Sequence, residues 1–222
     1  MSGVDLSSFV EDMDGGLDPS GAPLGAQLLE KKGLRMRISQ GDVPDYYYHL
    51  ALPEKFEELF VVEHLLGEDL TAYFSGTGEN IVVPPGLLGL GVVAMGWSWG
   101  VFLAQTALQD ITNKDESRIS SKNALIDGAA SPSLEETDGT VPVVHSVYVD
   151  DFTTLGLANE YTDPVRAAYE EGAARIKSCG LSVHKEAHGG ETTFVGCRIG
   201  PGPVVRPLPE KVSLLIRAST FL

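Results

Sequence analysis

The 222-residue chain is 43% hydrophobic, enough to bury one core, which excludes a disordered tail. No uninterrupted apolar run reaches the roughly eighteen residues of a membrane span, and Met1-Ser2-Gly3-Val4-Asp5 lacks the basic and apolar regions of a signal peptide, so a soluble intracellular protein with no membrane partner is expected. Its 16 Lys plus Arg against 31 Asp plus Glu leave a formal net charge of -15, which on average repels a phosphate backbone.

Residues 1–26 are rich in Gly, Asp, Ser and Pro and read as a flexible lead, with order beginning near Ala26. Basic residues gather at Lys31, Lys32, Arg35 and Arg37, and again at Arg206, Lys211 and Arg217, where they either meet backbone phosphates or balance a surface. Leu34, Met36 and Ile38 alternate with Arg35, Arg37 and Ser39, a strand that leads into Asp42. Tyr46, Tyr47 and Tyr48 follow, of which at least one should be buried. Glu54 to His64 fits a helical turn passing into a strand. The greasy segment from Ile81 to Leu108 is broken by Pro84, Pro85 and five glycines, so it turns rather than spans. Val101 to Ile111 reads as a buried helix, and residues 112–140 as a polar surface loop or insertion.

Val141 to Val149 is a β-branched run, and Phe152 to Leu157 forms a returning strand, so Asp150 and Asp151 sit where a tight hairpin reverses. Alternation starts the two acids on opposite faces, and a turn brings them back toward one site. Alone, such a pair needs no catalytic reason, because Asp favours turns. A helix is predicted from Pro164 to Cys179, capped by Asp163, opened by Pro164 and ended by a left-handed Gly180. Its apolar face is Val165, Ala168, Tyr169, Gly172, Ile176 and Cys179. Leu181-Ser182-Val183 and Thr193 to Ile199 then supply strands, which makes the class α+β with a mixed sheet. Cys179 and Cys197 read as buried thiols of a reducing compartment.

Five ordered motifs, spread over about residues 34–216, resemble those of reverse transcriptases. Gly41-Asp42-Val43-Pro44-Asp45-Tyr46-Tyr47-Tyr48 resembles the first catalytic motif, and Met95-Gly96-Trp97-Ser98-Trp99-Gly100 to Gln105 the Gly-rich turn and helix ending in Gln. Tyr148-Val149-Asp150-Asp151 resembles the family's Tyr-x-Asp-Asp box. Gly180 to Lys185 is similar to its lysine segment, and Phe194-Val195-Gly196-Cys197 to its primer-side hairpin.

The resemblance implies a polymerase palm, a split βαβ core with helices on one face, occupying about residues 27–200. It also implies a partial fingers insertion near 54–93 and the start of a thumb or connection at 201–222. The implied activity is RNA-directed DNA polymerisation by a fragment of a retroelement enzyme, with RNA or DNA template, DNA primer and deoxynucleoside triphosphates as partners. Two Mg²⁺ ions, or Mn²⁺, would be held by Asp42, Asp150, Asp151 and the carbonyl of Val43, since hard cations take oxygen donors. Asp45, Tyr46, Tyr47, Met95, Gly96 and Lys185 would bind the nucleotide, Tyr47 lying under the sugar and Lys185 serving the leaving pyrophosphate. Trp97, Tyr148, Val149 and Gly196 would touch primer or template. Two features depart from the pattern. Met95 stands where many members carry Gln, and only about forty residues precede Asp42, so the usual Lys and Arg clamp is missing or replaced. An inert palm remnant that binds weakly is the alternative, and a two-metal nuclease a more distant one.

Overall fold

The computed structural model describes residues 34–114, 117–126, 129–130, 132, 142–194, 197–200 and 205–209. Expectations for the 1–26 lead, Lys31, Lys32, Gly196, Lys211 and Arg217, for most of the loop after Asp127 and for most of 201–222 lie outside them. The chain divides into two compact units, one formed by the segments up to Pro44 and from Gln105 onward, the other by Asp45–Ala104.

The first unit is organised by four strands: β1 (Arg35–Asp42), β4 (Val143–Tyr148), β5 (Asp151–Ala158) and β6 (His184–Gly189). They lie in the order β4-β5-β1-β6, and every ladder is antiparallel. These four described strands thus form an antiparallel sheet and not the mixed one expected from sequence. The parallel relation exists one strand removed: β5 and β6 run the same way with β1 between them, joined through α3 (Pro164–Ser178). β1 and β4 are related likewise across β5, with α2 (Gly100–Thr112) in their connection. Two interleaved crossovers of this kind make a double split βαβ sheet.

β5 is buried along nearly its whole length because it is an inner strand with both faces covered, which its run Phe152-Thr153-Thr154-Leu155 tolerates since both threonines fit a pleated interior. Thr154 Oγ1 donates to the Val165 carbonyl at 3.0 Å, tying strand to helix. α3 is capped as predicted: the Asp163 carboxylate accepts from Arg166 N at 2.9 Å, Pro164 opens the helix, and Gly180 takes φ 83° beyond its end. Val165, Ala168, Tyr169 and Ile176 of the predicted face are buried against the sheet. Cys179 is exposed and Cys197 half-buried, contrary to the expectation of buried thiols, because the helix ends at Ser178 and carries Cys179 off the packed face.

One strand expectation is corrected. Leu181 to Val183 is a non-strand connection, and pairing begins only at His184. Thr193 to Ile199 supplies strands as expected, β7 (Thr192–Phe194) and β8 (Cys197–Ile199), which pair antiparallel with Phe194 opposite Cys197. A third strand, β9 (Val205–Pro207), pairs with β8.

The second unit is built differently. A 3-10 turn at Tyr46–His49 and another at Glu54–Phe60 lead into β2 (Val61–Leu66), α1 (Gly67–Thr77) and β3 (Leu87–Gly89). Glu54 to His64 thus follows its predicted course, helical turn into strand. Asp69 accepts from Leu66 N at 3.0 Å and Gly78 closes α1 in the left-handed region at φ 83°. β2 and β3 form a two-stranded ribbon in which Val61 faces Gly89 and Leu66 faces Leu87. Phe60 meets Trp97 edge-on at 5.0 Å.

Candidate active site

Asp42 is the last residue of β1 and Asp151 the first of β5, and the two are direct register partners. Residues so opposed in an antiparallel pair put their side chains on the same face, with Cβ atoms about 5 Å apart. Across the hairpin Asp151 also faces Tyr148, leaving Val149 and Asp150 as the two-residue turn. Val43 N donates to the Asp150 carbonyl at 2.9 Å, so the chain leaving β1 is bonded to the hairpin tip. Asp42 and the adjacent Asp150 and Asp151, about a hundred positions further along the sequence, lie at one end of one sheet.

Val149 adopts φ 57°, a left-handed conformation that a β-branched residue avoids. It is held there by Gln105 of α2, whose Oε1 accepts from Val149 N at 2.8 Å while its Nε2 donates to the Val147 carbonyl. One amide thus spans Tyr148, from the Val147 carbonyl to the N–H of the strained residue, and such outside support is how strain persists. Sequence reasoning gave Gln105 only a helix position; its fixed place at the end of the Gly-rich motif was the available signal.

Burial first, then the neighbouring Asp150 and Asp42, push the Asp151 carboxyl up to about 6, against a smaller opposing pull from Lys185. Asp42 is nearly buried, and its Oδ1 has no hydrogen-bond partner. Its Oδ2 accepts from Lys185 Nζ at 3.0 Å. Lys185 reaches it because the β1–β6 register slips between Gln40 and Asp42: Gln40 faces Ala187 but Asp42 faces His184, an extra residue on β6. Lys185 lies in that bulge at φ 48°, and re-aiming a side chain is what a bulge does. The carboxylate beside it raises the Lys185 ammonium above its ordinary value.

The donor chemistry fits a hard divalent cation: the cross-strand carboxylates Asp42 and Asp151, the adjacent Asp150, and a buried Asp42 oxygen with no other partner. Among the described residues no three His, Cys, Asp or Glu side chains are drawn together as they would be around an ion. Like charges oppose such a gathering, and the Lys185 ammonium already holds one Asp42 oxygen.

The remaining residues expected at the site are distributed as follows. Tyr148 is partly exposed at the hairpin, beside the turn residue Val149. Asp45, Tyr46, Tyr47, Met95, Gly96 and Trp97 belong to the other compact unit. There Asp45 is exposed at φ 53° before the 3-10 turn. Tyr46 is buried and donates its hydroxyl to the Ala104 carbonyl at 3.2 Å, Tyr47 is half-buried, and Tyr48 is exposed. Met95 is exposed and Gly96 takes φ 97°. Trp97 packs on Phe60, whereas Trp99 is 60% exposed and meets Phe102 edge-on. The helix expected to be buried over 101–111 is so only on one side, since Phe102 and Leu103 are exposed while Ala104 and Leu108 are not. No helix among the described residues is long and apolar enough to cross a membrane.

No protein-family model and no curated protein matches the chain. Among solved structures it is similar to the telomerase of Candida albicans in complex with a fragment of telomeric RNA, with a TM-score of 0.48 and 14% identity over 94% of this chain. The chain spans 34% of that protein's length, and a likeness of this extent carries no argument about activity.

Proposed function

We propose that the chain carries a nucleotidyl-transfer centre of the reverse-transcriptase type on a polymerase palm, an RNA-directed DNA polymerase or a fragment of one. The observation that supports this most is the register of Asp42 against Asp151, with Asp150 bonded through its carbonyl to Val43. A Tyr-x-Asp-Asp hairpin is common chemistry for a turn. A second acid from a distant strand, opposite that hairpin and on the same sheet face, is what the reaction requires and what a turn preference does not supply.

Asp42, Asp150 and Asp151 would hold the Mg²⁺ or Mn²⁺ ions, with the Val43 carbonyl as a further oxygen donor. Bound there, such ions supply acidity to the primer 3′ hydroxyl and neutralise charge on the departing pyrophosphate. The rest falls to the chain. Gln105 would hold the turn from which Asp150 and Asp151 project. Lys185, an exposed ammonium on Asp42, would exchange that carboxylate for a triphosphate oxygen and donate a proton there. Tyr47, by the same motif, is the ring proposed beneath the incoming sugar, where its bulk excludes a 2′ hydroxyl.

The test is primer extension on RNA and DNA templates with Mg²⁺ or Mn²⁺, comparing the full chain with Asp150→Asn and Asp42→Asn. Extension is expected in the wild type and absent in both variants. The net charge of -15 favours the second reading, an inert palm remnant that binds weakly. Wild-type protein that neither extends a primer nor takes up Mn²⁺ would establish that reading instead.

A further inference from the structure

We infer that Tyr169 is a positioning residue for the carboxylate pair: its hydroxyl, seated beneath Gly41, sets the height of β1 where Asp42 leaves it, while its ring supports Phe152 next to Asp151. The positioning role rests on the nucleotidyl-transfer reading; the seating does not.

Gly41 and Phe152 each adjoin one acid, and they are themselves register partners, one step before Asp42↔Asp151. Alternation therefore turns Gly41 and Phe152 toward the face covered by α3 and the two acids toward the other. Tyr169 of α3 is fully buried on that covered face. Its ring stacks on Phe152 with centroids 5.6 Å apart and planes at 18°, and it meets His188 edge-on at 5.2 Å. A Cβ added at Gly41 would overlap the Tyr169 hydroxyl oxygen and lie 2.7 Å from Val183 Cγ1. Glycine at 41 is thus a matter of room beneath the strand. Nearly one turn along α3, a Cβ at Gly172 would overlap the Phe152 ring, so Gly172 lets that ring down onto the helix beside Tyr169. One side chain thus touches the neighbour of each acid from the side opposite the acids.

Core packing does not account for the hydroxyl. The Tyr169 oxygen is buried beside the Glu186 carboxylate without a well-formed hydrogen bond to it, while phenylalanine would fill the same ring space. What phenylalanine lacks is the atom occupying the space under Gly41. A buried hydroxyl without a well-formed bond calls for a specific reason, and its close seating under Gly41 supplies one, steric support of the strand end that carries Asp42.

Two measurements on the full chain test this. The first is the thermal midpoint of Gly41→Ala, Tyr169→Phe and the double variant. Gly41→Ala should lower it by about 5 °C or more through overpacking, and Tyr169→Phe should recover at least half of that loss. Additive effects would overturn the seating and leave the proposed function standing. The second is Mn²⁺ affinity by calorimetry. Tyr169→Phe should bind about tenfold more weakly than wild type with an unchanged or higher thermal midpoint, a combination a purely structural residue does not produce. Equal affinity would overturn the positioning role. Wild type that binds no Mn²⁺ while the two substitutions remain coupled would sink the nucleotidyl-transfer reading, and the positioning role with it, but not the seating.

Discussion

The two compact units share a chain and little else in construction. The β1–β5–β4 sheet with α3 buries Phe152, Tyr169, Ile38, Leu155 and Ile176 almost completely, on ladders of six and eight residue pairs. The 45–104 unit rests on 3-10 turns, one three-turn helix and a two-stranded ribbon, and leaves Leu59, Tyr73, Val82, Leu87, Met95 and Trp99 exposed. A two-stranded ribbon is marginal by itself, whereas an inner strand covered on both faces holds its side chains to one geometry. The three acids are therefore carried by the part of the chain able to keep them in register. Residues expected to touch the nucleotide are mostly carried by the part that is not.

The sharpest way to break this contrast is to remove one apolar side chain from each unit. Phe152→Ala should cost about 3 to 5 kcal/mol in urea denaturation, since it leaves a cavity beneath Tyr169, while Leu87→Ala should stay within about 0.5 kcal/mol. Equal costs would mean the two units are packed alike. Next in size is a pH effect confined to the first unit. His145 is buried and its Nε2 lies 2.6 Å from Asn113 Oδ1; burial first, then the nearby Arg175, hold its pKa down to about 4. A folded-state value below the unfolded 6.5 favours the neutral ring, so this contribution is complete above 6.5 and is lost as the pH falls through 4. The loss should approach about 3 kcal/mol in denaturation curves between those limits, and His145→Gln should flatten the profile.

Smaller effects sharpen the contrast at the hairpin itself. Val149→Gly relieves a left-handed β-branched residue and should stabilise the chain by about 1 kcal/mol by thermal denaturation, at the expense of primer extension. Asp151→Asn removes a half-buried carboxylate that Asp150 and Asp42 repel. Discounted for solvent screening, it should raise stability at pH 7 by about 1 kcal/mol while extension disappears. Gain of stability with loss of activity marks acids kept for function. Loss of both would make Asp151 a structural residue.

Much of the first unit was legible before any coordinates. The alternation of Leu34, Met36 and Ile38, the β-branched run into Asp150-Asp151, and the Asp163-Pro164 opening of α3 are local signals whose pattern is repeated over several residues. Local chemistry was silent where partners are distant. Nothing around Lys185 announces that a bulge in β6 turns it toward Asp42, and nothing around Gln105 says that its amide grips a turn 44 positions away.

By itself the order of residues determined where strands, turns and the capped helix fall, and which acids lie at strand ends, because periodicity, β-branching and capping act within a few positions. Tertiary structure alone decided that Asp42 stands opposite Asp151, that β5 is buried on both faces and that Tyr169 lies under Gly41. Each of these depends on which strand pairs with which and in what register, and register is settled by contacts between segments that the chain brings together only when it folds.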